Sequence, residues 1–340
     1  MALSIESRRA VHDFDVLAGE WNDLLRRSAA DTIFLTHEYQ RVWWEHLGEG
    51  DLALVALRDG RELVGIAPLF AACDGSGSTV LRTVGCVEVS DYLDLIAAPD
   101  REPEVYQALV DFLESDGAPA WDSLDLCNIR EDSPTLALLP PLAEARGWSV
   151  SVARDEVCPV IQLPSSWDEY LAGLPGKERR EIGRKLRRAE GEMEAHWYIV
   201  GAEHDLAAEV EDFLGLMAAS SPDKAEFLTP RMRGFFRALA AVAHEQGWLQ
   251  LAFLQVGGTK VAAYFNFVYN NRVLVYNSGL DWNTFPQLSG GHVLIAYCIR
   301  HAIEEGREVF DFLRGSERYK YQFGGQDVEV RRLTVRRRRF

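Results

Sequence analysis

The chain has 340 residues, 47% of them hydrophobic and 26% charged, with 27 glycines and 13 prolines. This is ordinary globular composition at a length that suits two domains, and it excludes collagen-like, low-complexity and wholly disordered chains. The net charge of −16 argues against general nucleic-acid binding, yet the cations are segregated: residues 177–188 carry +5 and residues 331–340 carry +6, leaving −27 elsewhere. No run approaches the roughly 20 apolar residues that cross a bilayer, and residues 1–10 carry charges where a signal peptide is apolar. A cytoplasmic protein without membrane insertion is expected.

In chain order, residues 51–57 and 63–70 read as strands about the hairpin dipeptide Asp59-Gly60. Residues 79–84 and 92–97 read as further strands, and residues 103–114 as a helix with proline at its start. A strand at 121–127, a helix at 134–146 and a strand at 148–153 complete the first half. Residues 158–164 form a strand at the junction, and Ser165 or Ser166 with Asp168 or Glu169 opens a short helix through a capping box. Ile182, Leu186, Ala189 and Met193 mark the buried stripe of the next helix, opposite the cations Lys177, Arg180, Arg184, Arg187 and Arg188. Residues 213–217 and 235–242 belong to two more helices.

Residues 249–256, 259–269 and 272–278 then form an antiparallel meander about Gly257-Gly258 and Asn270-Asn271. A loop leads to a helix whose apolar stripe is Leu294, Tyr297, Cys298, His301 and Ala302, with Ser289 as its N-cap and Gly306 as its stop. Residues 309–313 read as a buried strand, residues 314–321 as a polar and aromatic stretch, and residues 328–336 as a last strand. Meander, helix and strand thus occur twice. The expected fold is α+β, with two tandem domains at 1–157 and 158–340, each a mostly antiparallel mixed sheet flanked by helices; the sequence leaves open whether the last strand stays in the second domain or returns to the first.

The halves differ where a loop enters the helix. Gln287-Leu288-Ser289-Gly290-Gly291-His292 has two glycines, and a helix start of this kind presents free N–H groups to an anion. The matching Ala98-Pro99-Asp100-Arg101-Glu102-Pro103 has two acids and two prolines without N–H donors, so only the second half can cradle phosphate. Five cysteines lack C-x-x-C spacing and eight histidines are dispersed, so reduced core thiols and no metal are expected.

This pattern resembles the GNAT acyltransferase superfamily, whose Q/R-x-x-G-x-G/A loop holds the pyrophosphate of acyl-coenzyme A; here the motif reads Gln287-x-x-Gly290-x-His292. The tandem arrangement is similar to the CelD-like acetyltransferases of cellulose and exopolysaccharide production, which resemble the Fem-type aminoacyltransferases. The carriers are Ser90-Asp91-Tyr92-Leu93-Asp94, residues 158–164 with Trp167, the basic helix at 177–188, and above all the stretch from Phe310 to Lys320. The resemblance implies an acyl-CoA-dependent N- or O-acyltransferase, with acetyl-CoA or another acyl-CoA as co-substrate and a sugar, amino sugar or other small polar acceptor.

Gln287, Ser289, Gly290, Gly291 and His292 would bind the coenzyme. Asp311 and Glu317 are candidate bases for the acceptor and Tyr319 a candidate acid for the departing thiolate. Asp91, Tyr92, Asp94, Arg314 and Lys320 would bind the acceptor in an inter-domain cleft. Transfer would be direct, because no serine or cysteine has a recognisable base beside it. Two alternatives stand beside this one: aminoacyl-tRNA-dependent transfer of the Fem type, and a non-catalytic scaffold in polysaccharide assembly.

Overall fold

In the computed structural model, which describes residues 3–86 and 89–337, the chain forms two units, one from Met1–Val157 and Val328–Phe340, the other from Cys158–Asp327. Unit 1 opens with β1 (Ser4–Arg8) and two helices that sequence reasoning passed over, α1 (Asp13–Arg27) and α2 (His37–Leu47). The stripe Phe14, Leu17, Trp21, Leu24 and Leu25 makes α1 helical and buries one side of it, and the Thr36 hydroxyl caps α2 by accepting the Tyr39 N–H. The hairpin β2 (Asp51–Asp59) and β3 (Glu62–Cys73) and then β4 (Thr79–Thr83) form the meander, followed by β5 (Ile96–Ala97), α3 (Glu102–Glu114), β6 (Ser123–Arg130) and α4 (Pro134–Ala145). β6 returns parallel to β4.

Three features depart from the sequence reading. Within residues 92–97 only Ile96–Ala97 is strand, because the Asn128 amide donates to the Ser90 carbonyl (2.7 Å) and the Leu93 N–H to the Asn128 carbonyl (3.0 Å), holding that backbone out of a ladder. The two strands expected at 148–153 and 158–164 are one, β7 (Ser149–Gln162): its charged middle is an exposed strand face rather than a loop. Cys86 and Cys127 form a disulfide across the neighbouring β4 and β6 region, their Cα atoms 6.0 Å apart, where reduced thiols were expected.

Unit 2 takes the end of β7 and continues with α5 (Trp167–Gly173), α6 (Gly176–Arg187), β8 (His196–Ile199), α7 (Leu206–Ser220), α8 (Pro222–Phe227) and α9 (Pro230–Glu245). The meander β9 (Leu249–Val256), β10 (Thr259–Tyr269) and β11 (Arg272–Leu280) precedes α10 (Gly290–Glu304), β12 (Val309–Asp311) and α11 (Arg318–Gln322). Its sheet runs β7-β12-β11-β10-β9-β8, antiparallel except where β12 lies parallel to β11. Gly257-Gly258 and Asn270-Asn271 all have positive φ, as two-residue hairpin turns require. Residues 293–299 of α10 are all buried and form the centre of the unit's apolar core.

The last strand, β13 (Gln326–Arg336), belongs to unit 1 from Val328 onward and lies between β6 and β7. Two arginines of this C-terminal segment are engaged there. Arg332 meets Asp125 (2.9 Å) and Asp155 (3.3 Å), and the Arg337 guanidinium sits 4.5 Å from the centre of the Trp121 ring. Arg338 and Arg339 of the basic run lie outside the described residues. No helix among the described residues is long and apolar enough to cross a membrane.

Candidate functional site

In unit 2 the geometry is set by two parallel strands that part company. β12 pairs with β11 only through Arg272↔Val309, Val273↔Phe310 and Leu274↔Asp311. The chain after β12 follows the other neighbour, the Phe312 N–H donating to the Pro159 carbonyl (2.9 Å), then turns through Leu313 (φ 56°) and Gly315 (φ 112°). β11 runs on to Leu280. Residues 275–280 therefore have β10 on one edge and no strand on the other, a wedge in which the Lys224 ammonium meets the Ser278 carbonyl (2.6 Å) and the Ser220 hydroxyl accepts the Leu280 N–H (2.7 Å).

The glycine loop enters α10 beside this wedge. Ser289 is left-handed (φ 55°, ψ 48°) and makes no side-chain cap, which corrects its reading as an ordinary N-cap; in unit 1 Arg101, which directly precedes α3, is not left-handed (φ −119°). The N–H groups of Gly290 and Gly291 make no hydrogen bond among the described residues. Gly291 also serves packing: a Cβ there would lie 3.0 Å from a Leu280 methyl. The Gln287 side chain is exposed, and its carbonyl accepts from Arg188 (3.3 Å).

The His292 ring lies 6.0 Å from that of Phe323 and 6.3 Å from that of Tyr319, on the α11 side. Burial and then Lys185 lower its pKa, opposed by a hydrogen bond with Gln322 and by Glu181. It borders a cleft of about 470 Å³ whose lining includes Lys177, Arg180, Arg184, Lys185 and Gln322. Glu181 binds Arg184 through two bonds of 3.0 and 2.6 Å, whereas Lys177 and Arg180 are exposed and have no ion pair among the described residues. The face of α6 turned to the start of α10 is thus electropositive, with uncommitted charge.

The stretch after β12 is a turn held from inside. Asp311 is fully buried and its Oδ1 accepts the Leu313 N–H (2.8 Å), fixing a left-handed leucine that is itself only 2% exposed. Lys320, also buried, donates to the carbonyls of Leu313 (3.1 Å), Arg314 (2.7 Å) and Gly315 (3.1 Å) and pairs with Glu317 (2.9 Å). Its three protons are occupied, so its geometry is that of a clasp and not of a group presented to an acceptor. Glu317 is exposed at the turn. The Tyr319 ring packs 6.0 Å from that of Phe312, and burial, followed by Glu317, raises its pKa well above the usual tyrosine value. Nearby, the Tyr264 hydroxyl donates to the Gly291 carbonyl (3.3 Å). Arg314 is partly buried beside Gly315. Neither α11 nor the inward turn of Lys320 has a signal in spacing alone.

Asp91, Tyr92 and Asp94 lie in unit 1 and are all buried. Asp94 receives the hydroxyls of Ser133 and Thr135 and the Leu95 N–H (2.8 Å), tying the start of α4 to the segment before β5. Burial outweighs those bonds and pushes its pKa up to about 6 from 3.8. The native state therefore holds this proton more tightly than the unfolded chain. Its stabilising contribution is complete below about pH 4 and is lost as pH rises through 6. Unfolding free energies measured from pH 4 to 6 are expected to fall relative to those of Asp94→Asn by up to about 1.4 kcal/mol per pH unit. Parallel profiles for the two proteins would refute this.

The buried Cys298 thiol, pushed up to about 12 by its surroundings, is inert as a nucleophile. Among the described residues no group of three or more His, Cys, Asp or Glu is placed to hold a metal ion.

Residues 176–321, which contain the loop, the wedge and the clasped turn, match an acetyltransferase (GNAT) domain family. None of the curated proteins compared matches the sequence. Among solved structures the chain is similar to FemX, at 11% identity over 93% of this chain and 95% of that one, with a TM-score of 0.68. It is similar to a tandem GNAT protein from the clavulanic acid biosynthesis pathway (12% identity, 99% and 100% covered, TM-score 0.52). It is also similar to the C-terminal domain of a putative lysylphosphatidylglycerol synthetase from Agrobacterium fabrum (12% identity, 95% and 92% covered, TM-score 0.56). At such identities the likeness is one of fold, a mixed α+β architecture of GNAT type.

Proposed function

We propose that unit 2 binds an acyl-coenzyme A and transfers its acyl group directly to a small polar acceptor. A sugar or amino sugar, as the CelD-like resemblance implies, is the acceptor class to try first. The observation that carries this reading is the edge of β11 left without a strand partner beside the unbonded N–H groups of Gly290 and Gly291. An extended arm rich in amides can lie beside the edge that β12 abandons, and its phosphates then meet the positive end of α10. Glu317 is the base within reach of solvent, and Tyr319, kept protonated by its surroundings, is the acid for the thiolate. Asp311 and Lys320 act on this chemistry by fixing the turn that carries both.

Calorimetry with acetyl-CoA tests the reading: saturable binding is expected, and no heat of binding at millimolar coenzyme rejects it. The alternative, an aminoacyl-tRNA donor, draws on one further observation. The cations of α6 extend along an exposed face beyond the cleft, through Arg179 and Arg187, further than a single coenzyme engages. A tRNA that binds with a steep salt dependence and displaces acetyl-CoA would favour that donor.

A further inference from the structure

Lys224 has no part in any motif and stands in a six-residue helix, α8. Its half-buried ammonium donates to the Ser278 carbonyl (2.6 Å) and to the Ser278 hydroxyl (3.2 Å). Two residues on, the Leu280 N–H donates to the Ser220 hydroxyl (2.7 Å). Ser278 and Leu280 therefore turn their backbone groups away from β10, towards the edge that β12 has left. Gly279 lets this happen, since the backbone of α7 passes so close that a Cβ would lie 2.6 Å from the Met217 nitrogen. An ammonium has three protons, and the third of Lys224 has no acceptor among the described residues. Burial holds the group below the usual lysine range, with Glu317, from the far side of the wedge, acting in the opposite direction.

A half-buried cation aimed at an open strand edge is a costly feature unless something negative arrives there. Resting on the acyl-transfer reading above, we infer that Lys224 is a catalytic residue whose free N–H binds the carbonyl oxygen of the acyl donor in the wedge. The acceptor's nitrogen or oxygen bonds to the carbonyl carbon, and the carbonyl π pair moves onto the oxygen held by Lys224. Collapse of that adduct breaks the carbon–sulfur bond, and the thiolate leaves with the proton that the acceptor gives up.

The test compares acetyl-CoA with S-ethyl coenzyme A, which has a methylene in place of the carbonyl, by calorimetry on the full chain. Wild type is expected to prefer acetyl-CoA about tenfold, the strength of one charge-assisted hydrogen bond. Lys224→Met is expected to bind both probes alike, with its affinity for S-ethyl coenzyme A unchanged, which a merely structural lysine would not produce. If Lys224→Met does not fold, Lys224→Gln, which keeps an N–H for the Ser278 carbonyl, is expected to show the same loss. A variant that binds both probes and keeps the tenfold preference overturns the inference alone. Failure of wild type to bind either probe overturns the acyl-CoA reading and the inference with it.

Discussion

Replacing Lys320 by methionine is expected to cost unit 2 about 4 kcal/mol of stability, the usual penalty for breaking a buried charged cluster at one partner. The ammonium joins three consecutive carbonyls to Glu317, so its loss leaves one buried and two partly buried acceptors without this donor. It also releases a turn that includes a left-handed leucine and a glycine whose Cβ would lie 2.5 Å from Glu317. In a unit of this size the loss corresponds to a melting point lower by roughly 8–16 °C. Lys320→Arg is not expected to rescue it, because a planar fork cannot address three converging carbonyls. Glu317→Gln, altering only the exposed partner, is expected to change stability by about 1 kcal/mol or less. Denaturant titration decides: Lys320→Met within 1 kcal/mol of wild type would remove the clasp from the account.

The second large effect concerns affinity. Reversing both Lys177 and Arg180 to glutamate is expected to weaken acetyl-CoA binding about 50-fold in low salt and only a few-fold at about 0.5 M, because both charges are exposed and screened. Both side chains border the cleft at His292 and neither is committed to an acid, so the fold loses no ion pair. Reversing Arg184 is a poorer test, since Glu181 already holds it. Equal affinity of the double variant and wild type at low ionic strength would place the coenzyme's phosphates elsewhere.

Much of this architecture is written in turn chemistry. Gly257-Gly258 and Asn270-Asn271 are hairpin dipeptides with positive φ at both positions, whereas in the first hairpin only Gly60 is left-handed and the turn is Gly60-Arg61, one residue later than the Asp59-Gly60 reading. The segment from Phe310 to Lys320 was also visible as dense and unusual. What could not be read was direction. Asp311 and Lys320 look like site residues in one dimension and are buried in three, since the bond from the Phe312 N–H to the Pro159 carbonyl, far off in the sequence, sets the course of the turn. Lys224 gave no signal at all, because its meaning comes from Ser278, 54 positions away. A Cβ at Gly291 would press on a Leu280 methyl at 3.0 Å, a packing reason for glycine that the sequence pattern does not reveal.

The placement of β13 has a consequence for synthesis. Unit 1 lacks its strand between β6 and β7 until the ribosome has delivered residues 158–327, so its sheet waits on the completion of its neighbour. A nascent chain paused before residue 328 exposes two raw strand edges, which are templates for pairing with other chains. A chain truncated in that interval is expected to aggregate through those edges where the full-length chain does not.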